Sequence, residues 1–452
     1  MDLGIDVGTS EVKVVLLDDA QRVVGQAHSA VPISRPQPLW SEQNPHDWWA
    51  ATVAALAQLR AAHPKEFGAV RGLGLSGHMH GATLLDAHDR VLRPAILWND
   101  GRSHAQCAEL ERRAPRSREI TGNIAMPGFT APKLMWVEQH EPEVFRRTAR
   151  VLLPKDFVRL QLTGEAVSDM SDSAGTLWLD VAKRAWSDVM LAATHLERSH
   201  MPRLVEGSEA SGTVLPAVAT ELGLPAGVVV AGGAGDNAAS AAGIGVAAPG
   251  TAFLSLGTSG VYFVANAAYS PNPARAVHAF CHAFPNTWHQ MTVMLSAASA
   301  LRWLRTLTHA DSEAQLVAEA EALPTGTPVP LFLPYLSGER TPHNNPHASG
   351  VLFGLTHDHT RPTSHARYSK AWPSLSATAS RLCWKVARRS TASRSSAVAR
   401  AARPGRRCWP TRSAARSSAA AAPTWAQHSA QHGSVAWRAR VKAWHRSAPC
   451  RR

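Results

Sequence analysis

The sequence predicts a two-domain α/β protein, and three observations lead to this expectation. The 452 residues are enough for two domains of about 200 residues, each with its own core. A Gly-Thr-Ser turn between apolar segments occurs twice, at 8–10 and at 257–259. The composition changes abruptly near Thr360. We therefore expect two related halves, followed by a segment of different character.

The first Gly-Thr-Ser turn lies in LGIDVGTSEVKVVLLD, residues 3–18. Its alternating Val, Ile and Leu residues predict a β-hairpin with a tight polar turn at Gly8, Thr9 and Ser10. Backbone N–H groups and hydroxyls at a glycine turn suit phosphate oxygens, and the carboxylate of Asp6 can hold Mg²⁺ through water. A single turn of this kind usually connects two strands without binding a phosphate.

The second Gly-Thr-Ser turn strengthens the interpretation of the first as a phosphate-binding turn. The segment AFLSLGTSGVYFVA places Gly257, Thr258 and Ser259 between two further apolar segments. Phosphate hairpins in separate halves of a chain favour a duplicated fold that holds a nucleotide between the halves.

The segment VVVAGGAGDNAASAAGIG runs from a predicted buried strand into small residues that begin at Asp236 and Asn237. Glycine and alanine allow a ligand to approach the backbone closely. An aspartate at a strand end that faces a cleft can act as general base for a sugar hydroxyl. It can equally be the N-cap of the following helix, and both roles can coexist.

Three further loops carry polar residues after apolar strands. GHMHG contains Met79 and His80 and suits a polyol better than a metal, because further ligands are missing nearby. AILWNDGRS, residues 95–103, can be a simple turn. In FLPYLSGERTPHNNP, Glu339 and Arg340 are as compatible with a structural ion pair as with a ligand contact.

Composition excludes several classes of protein. The chain starts without the basic and apolar segments of a signal peptide, and it lacks an uncharged apolar run long enough to span a membrane. Its five cysteines show no metal-ligand spacing. We therefore expect a cytoplasmic protein with reduced thiols and no membrane partner.

The net charge of +13 comes from the end of the chain. Residues 361–452 hold 20 Lys and Arg and no acidic residue, which leaves 27 basic and 34 acidic residues before them. A mildly acidic protein is thus joined to a basic tail. We expect no specific nucleic acid partner, and a tail that binds nucleic acid is the less favoured alternative.

A change of reading frame explains the tail better than a basic arm does. With GC-rich codons shifted by one frame, residues 365–376 become RAVLEGVAFAL and residues 423–434 become DVGPALGAARL. These strings alternate apolar and small residues like buried helices, whereas the visible frame shows no period. We infer a single-base slip between about His357 and Ser364. The protein should be compact up to about Gly354 and poorly packed beyond about Arg361.

The ordered motifs of residues 1–357 resemble the carbohydrate kinases of the glycerol kinase and xylulokinase group. IDVGTS, AGGAGDNAA and LSLGTSGVYF occur in the order of that family, while GHMHGATLLD and SGERTPHNNP favour its xylulokinase members. The resemblance implies two actin-like ATPase (ribonuclease H-like) domains around a cleft, with the second domain incomplete. We expect a sugar-binding first domain at 1–240, the first part of the second domain with its phosphate hairpin at 241–360, and an aberrant, poorly ordered tail at 361–452.

The resemblance also implies a reaction, the transfer of the γ-phosphoryl group of MgATP to the 5-hydroxyl of D-xylulose. Asp236 would accept the proton of that hydroxyl, Met79 and His80 would contact the sugar with Asp236, and Asp6 would organise Mg²⁺. A homodimer is compatible with the family. The residues that would bind the nucleotide phosphates are Gly8, Thr9, Gly257, Thr258 and Ser259.

The chain departs from this family after GLTH, residues 354–357. The family's next helix and its glycine-rich adenosine loop are absent from the visible frame, so kinase activity of this exact chain is in question. The alternatives are a sugar-binding remnant without catalysis, or a kinase for a related sugar or polyol.

Overall fold

The computed structural model describes residues 1–324 and 326–363, which divide into two compact units. The first unit comprises residues 1–253 and 263–291, and the second comprises 254–262 and the residues from 292 onward. The α/β class predicted from the sequence is confirmed. The predicted poor packing beyond about Arg361 concerns a segment that, apart from its first three residues, lies outside the described residues.

The strands are short and are numbered in chain order. They are β1 Asp2–Val7, β2 Glu11–Leu17, β3 Val23–Ala30, β4 Glu42–Gln43, β5 Gly72–Gly77, β6 Thr83–Leu85, β7 Ala95–Ile96, β8 Arg150–Leu152, β9 Val167–Asp169, β10 Leu179–Asp180, β11 Ala185–Trp186, β12 Arg203–Val205, β13 Ala210–Thr213, β14 Val229–Ala231, β15 Ala234–Gly235, β16 Ala252–Leu256, β17 Gly260–Asn266, β18 His278–Cys281, β19 Trp288–Met294, β20 Leu331–Leu333 and β21 Val351–Phe353.

The helices lie between these strands and are numbered in the same way. They are α1 Pro45–Ala62, α2 Pro64–Phe67, α3 His104–Arg113, α4 Ser117–Thr121, α5 Thr130–His140, α6 Pro142–Arg147, α7 Pro154–Thr163, α8 Met170–Ser173, α9 Asp188–Ala192, α10 Pro216–Leu222, α11 Asp236–Gly243, α12 Ala298–Thr308 and α13 Glu313–Glu321.

The main sheet of the first unit has seven strands in the order β13-β14-β5-β1-β2-β3, with β15 also paired to β5. Strand β1 runs antiparallel to β2, in agreement with the predicted hairpin, and parallel to β5. Alternate residues of β1, namely Leu3, Ile5 and Val7, are almost fully buried. This alternation is the two-residue period expected when one face of a strand covers a core.

Helix α1 covers that face of the sheet. It begins after Asn44, whose side chain caps the first turn by accepting a hydrogen bond from the His46 N–H group, and a proline occupies its first position. Its Trp48 and Leu56 are fully buried and join the same apolar cluster as Phe157 of α7. The first unit therefore has one continuous core between its sheet and these helices.

The register of the main sheet brings three loops to one edge. Strands β1, β5 and β15 are parallel, with Val7 opposite Gly77 and Gly77 opposite Gly235. The chain leaves each strand at the same end, since parallel strands share their direction. The residues that follow these strands, and those just before their ends, are therefore neighbours.

A four-stranded sheet has the order β16-β17-β19-β18, and the second Gly-Thr-Ser turn lies between β16 and β17. The second unit holds α12, α13 and the antiparallel pair β20 and β21. Among its described residues, one apolar cluster contains five buried side chains, whereas several other apolar side chains are exposed. The buried five are Met294, Ala297, Ala300, Leu304 and Phe332.

Among the described residues, no helix is long and apolar enough to cross a membrane.

Candidate functional site

Two carboxylates lie at the ends of the strands that flank β5. Asp6 is on β1, opposite Ser76, and Asp236 is the first residue of α11, directly after β15. The Asp236 carboxylate accepts hydrogen bonds from the backbone N–H and the side-chain amide of Asn237, at 2.6 and 2.9 Å. Gly235 occupies the N-cap position, so the alternative role of Asp236 as N-cap is not the one that the structure shows.

The pKa values of both carboxyl groups are raised. Partial burial is the main cause for Asp236, whose pKa rises to about 6, and the negative charge of Asp6 contributes, while the bonds from Asn237 oppose the shift. Burial is also the main cause for Asp6. A carboxylate with a pKa near neutrality can accept a proton from a hydroxyl and return it.

The pair of carboxylates also suits a hard cation. Mg²⁺ is usually held by one or two carboxylates, water and substrate phosphates. Because the negative charge of Asp6 helps to raise the pKa of Asp236, a divalent cation near the two groups would relieve that repulsion. Within residues 1–324 and 326–363, no group of three or more His, Cys, Asp or Glu side chains has the arrangement of a metal site.

The first Gly-Thr-Ser turn is fixed by residues that are remote in sequence. Its Gly8 N–H donates to the carbonyl of Glu11 at 3.1 Å, and a Cβ atom at Gly8 would come within 2.7 Å of that oxygen. The Thr9 carbonyl accepts from the side chain of Gln43 at 2.7 Å, and the Thr9 hydroxyl accepts from the indole N–H of Trp98 at 3.0 Å. The sequence analysis treated the Trp98 segment as a turn and missed this contact.

The glycine-bounded loop after β5 contains three residues with different surroundings. His78 is buried, its Nδ1 lies 3.0 Å from the carbonyl oxygen of Val7, and burial lowers its pKa to about 4. Met79 packs against Gly235, where an added Cβ would come within 2.9 Å of the methionine Cγ. The predicted sugar contact Met79 therefore lies beside the residue that precedes Asp236. His78 is an uncharged link between β5 and β1.

His80 is held in the left-handed backbone region, with a φ of 72°. Its Nδ1 lies 2.7 Å from the carbonyl oxygen of Gly175, and its ring meets Phe129 edge-on at 4.8 Å between centroids. Its own carbonyl accepts hydrogen bonds from Thr130 at 3.2 Å and from the Lys133 ammonium at 2.8 Å. Non-glycine residues in this region cost about 1–3 kcal/mol and persist where the surroundings hold them.

Lys133 is a second residue that the sequence analysis did not assign to the site. It is fully buried, and burial lowers its pKa to about 7, against the opposing effect of Asp100. It lies in helix α5, in the segment MPGFTAPKLMWV. Nothing in the local sequence indicated that it reaches the carbonyl of His80.

The second Gly-Thr-Ser turn belongs to the second unit. Its Gly257 N–H donates to the Ser259 carbonyl at 3.0 Å, and the carbonyls of Gly257 and Thr258 accept from the N–H groups of Ala298 and Ala297 at 2.8 and 2.9 Å. The turn is thus attached to the start of α12, and Gly257 and Thr258 are exposed.

The carboxylate of Glu339 is bound by backbone N–H groups. Glu339 is buried, and its carboxylate accepts from the N–H groups of Leu295 and Arg340 at 3.0 and 2.7 Å. These are contacts with the backbone, so the choice between an ion pair with Arg340 and a ligand contact stays a prediction.

Comparison with known families identifies both parts of the chain. The N-terminal domain of the FGGY family of carbohydrate kinases matches residues 1–243, and the C-terminal domain of that family matches residues 252–369. The xylulose kinase of Escherichia coli (strain K12) is 58% identical over 359 residues, which are 79% of this chain and 74% of the relative. The xylulose kinase of Bacillus subtilis (strain 168) is 39% identical over 361 residues, 79% of this chain and 72% of the relative.

Solved structures agree with this result. A xyloylose kinase from Brucella ovis is 57% identical and superimposes with a TM-score of 0.79 over 81% of this chain and 75% of its own. The xylulose kinase from Rhodospirillum rubrum is 32% identical, with a TM-score of 0.78 over 82% of this chain and 76% of its own. The two-domain kinase fold predicted from the motifs is therefore confirmed, and the chain belongs to the FGGY family of carbohydrate kinases.

Proposed function

We propose that this chain transfers the γ-phosphoryl group of ATP to the 5-hydroxyl of D-xylulose, giving D-xylulose 5-phosphate and ADP. The observation that carries the proposal is Asp236, a carboxylate with a pKa of about 6 at the end of β15, beside Met79. The similarity to xylulose kinases supports D-xylulose as the sugar.

In the proposed reaction Asp236 accepts the proton of the sugar hydroxyl. The hydroxyl oxygen then forms a bond to the γ-phosphorus, the bond from that phosphorus to the bridging oxygen breaks, and ADP leaves. Met79 and His80 contact the sugar, and the fixed backbone of His80 orients it. Such reactions depend mainly on positioning and charge neutralisation.

The nucleotide phosphates are assigned to the two Gly-Thr-Ser turns. Gly8 and Thr9 serve in the first domain, proposed at 1–240, and Gly257, Thr258 and Ser259 serve in the second, proposed at 241–360. Mg²⁺ held through Asp6 would neutralise phosphate charge when bound. A cytoplasmic location and a homodimer remain part of the proposal.

The last part of the chain makes a sugar-binding remnant the second candidate. We infer a frame change between about His357 and Ser364, because the basic composition starts at Arg361 and the match to the FGGY C-terminal domain stops at residue 369. The sugar contacts all precede this point, whereas the family's adenosine segment follows it. Sugar binding should therefore survive where ATP binding is weakened.

Calorimetry with D-xylulose and an ADP-release assay on the full chain test both candidates. We expect D-xylulose to bind more tightly than D-ribulose, glycerol or gluconate, and to stimulate ADP release. Sugar binding without ADP release would support the remnant. Absence of D-xylulose binding, or a preference for another of these compounds, would refute the assignment of the sugar.

A further inference from the structure

Five charged side chains lie in the interior of the first unit, far from the ordinary place of charges at a protein surface. We call them the buried charge cluster. All five side chains have no exposed surface. They come from α7, from the end of β9 and from α8, and they are Lys155, Asp156, Arg159, Asp169 and Asp172.

Lys155 is the centre of the buried charge cluster. Its ammonium nitrogen lies 2.6 Å from a carboxylate oxygen of Asp156, 2.7 Å from Asp169 and 3.1 Å from Asp172. Three carboxyl groups face two cations, and burial raises the pKa of Asp172 well above its usual value. Protonation of Asp172 makes the cluster neutral, which removes much of the cost of burying it.

Buried ion pairs are a weak source of stability, because desolvation costs several kcal/mol for each ion and apolar residues often do as well. Stability alone therefore does not explain these five buried groups. Their further contacts are hydrogen bonds that reach a short segment of backbone.

The piece of backbone is the segment 231–235, which leads from β14 through β15 to Asp236. At its start, the Arg159 guanidinium donates to the carbonyl oxygen of Ala231 at 2.7 Å and to that of Gly232. At its end, the Gly235 N–H donates to the hydroxyl of Ser171 at 3.1 Å.

Ser171 connects the end of this segment to the buried charge cluster. Its hydroxyl donates to the Asp169 carboxylate, and its own backbone N–H donates to the same oxygen at 2.8 Å. The other oxygen of Asp169 contacts Lys155. A continuous series of contacts therefore runs from Lys155 through Asp169 and Ser171 to the residue that precedes Asp236.

The middle of the segment has no room to move. Gly233 has a φ of 72°, and a Cβ atom there would lie 2.1 Å from the carbonyl oxygen of Leu75. A Cβ atom at Gly232 would lie 2.2 Å from the carbonyl oxygen of Glu206. Contacts at both ends and close backbone approach in the middle therefore constrain the backbone that leads to Asp236.

We propose that Ser171, Asp169 and Arg159 are positioning residues for Asp236, and that the buried charge cluster is retained in the fold to fix the approach of β15 to the site. The proposal rests on the proposed function only in naming Asp236 as the proton acceptor. A displacement of about 1 Å at a reacting group can cost about 10²-fold in rate, which is the scale on which such support matters.

The test compares Ser171→Ala with Ser173→Ala in the full chain. Both serines are fully buried in α8, and each loses one hydroxyl, but the Ser173 hydroxyl donates to Ser168 and not toward Asp236. The carboxyl ¹³C resonance of Asp236, identified by its loss in Asp236→Asn, is followed by NMR against pH.

In Ser171→Ala we expect the pKa of Asp236 to fall from about 6 toward its ordinary value of 3.8, because a less constrained carboxylate gains water. Ser173→Ala should keep the higher value at a similar thermal midpoint. Equal titration curves in the two variants would overturn the proposal. If Ser171→Ala does not fold, Ser171→Cys, whose sulfur accepts hydrogen bonds only weakly, takes its place with the same criterion.

The titration requires neither sugar nor nucleotide, so it separates the two proposals. A fall in the Asp236 pKa without any D-xylulose binding would support the positioning role and refute the proposed sugar. Where the chain does transfer phosphate, Ser171→Ala should lower kcat about tenfold or more with little change in the KM for D-xylulose, as expected for a contact that serves the transition state.

Discussion

The two units of this protein differ in how well their functional residues are supported by a core. In the first unit, the sheet β13-β14-β5-β1-β2-β3 and helices α1 and α7 share one apolar cluster, and the predicted site residues emerge from it. Among the described residues of the second unit, one apolar cluster has five buried residues, and Trp303, Leu307 and Phe353 are 37, 54 and 70% exposed. The described residues of the first unit therefore share a larger core than the described residues of the second unit do.

The largest effect is expected when the proposed general base of the first unit is replaced while its fold stays intact. Asp236→Ala should lower phosphate transfer to D-xylulose by about 10²–10⁴-fold, the usual contribution of a general base. D-xylulose binding by calorimetry should change far less. Asp188→Ala is the control, because Asp188 is 71% exposed and paired only at the surface with Arg198. Near-normal transfer in Asp236→Ala would disprove the base assignment.

Core truncations measure the difference in packing between the units. Leu56→Ala in the first unit should cost about 3–5 kcal/mol in the free energy of unfolding, since Leu56 is fully buried in the continuous cluster. Leu304→Ala, in the five-residue cluster, should cost about 2–3 kcal/mol because fewer neighbours lose contact. Hydrogen exchange in urea, followed separately for the two units, gives both values. A larger cost for Leu304→Ala would contradict the comparison.

Replacement of His80 tests which ligand the first unit recognises. His80→Ala removes the ring held between Gly175 and Phe129, and we expect about tenfold weaker D-xylulose binding, roughly the loss of one good polar contact. ATP binding should be nearly unchanged. The exposed His88 offers the matched control, His88→Ala. An effect confined to ATP would show that the loop does not serve the sugar.

The raised pKa of Asp236 should be visible in stability. A carboxyl whose pKa is about 6 in the fold and 3.8 when unfolded binds a proton more tightly in the folded state, so its favourable contribution is complete below pH 3.8 and lost as the pH rises through 6. The difference between these two pKa values corresponds to about 3 kcal/mol, and solvent screening at this partly exposed side chain reduces it. Asp236→Asn should therefore stabilise the protein by about 1–2 kcal/mol above pH 7 and by almost nothing at pH 3.8. Urea unfolding at the two pH values measures this, and the opposite pH trend would refute the shift.

The smallest expected effect concerns the exposed apolar side chains of the second unit. Phe353→Ser should change the free energy of unfolding by less than about 0.5 kcal/mol, as surface substitutions usually do. It should nevertheless reduce aggregation in light scattering, because exposed apolar patches promote association. Leu39→Ser, at a 79% exposed position of the first unit, is the control. Equal reductions in both variants would remove the distinction between the units.

Sequence patterns indicated those candidate site residues that belong to local motifs, and their roles stay predictions. Asp6, Met79 and Asp236 each follow or end a short apolar strand, and three parallel strands bring such residues together. The supporting partners could not be predicted in this way, because they are joined only by the tertiary fold. Trp98 is 89 residues from Thr9, and Lys133 is 53 residues from the carbonyl that it contacts.

The role of Asp236 shows the same limit at close range. Its neighbours made a helix N-cap as plausible as a general base, and only the structure assigns the cap position to Gly235. The buried charge cluster was likewise unrecognised. Its members in LLPKDFVRL and SDMSDSAG resemble ordinary polar positions until burial is known.

The pairing of β1 and β15 on opposite sides of β5 has a geometric consequence for the evolution of this site. Neighbouring strands are about 4.8 Å apart, so the backbones that carry Asp6 and Asp236 are about 10 Å apart whatever side chains they bear. Substitutions can exchange the groups that face this gap, but its width changes only if the sheet itself changes. New substrates can therefore arise through the loops that follow the strands, while the spacing of the two backbones is inherited with the fold.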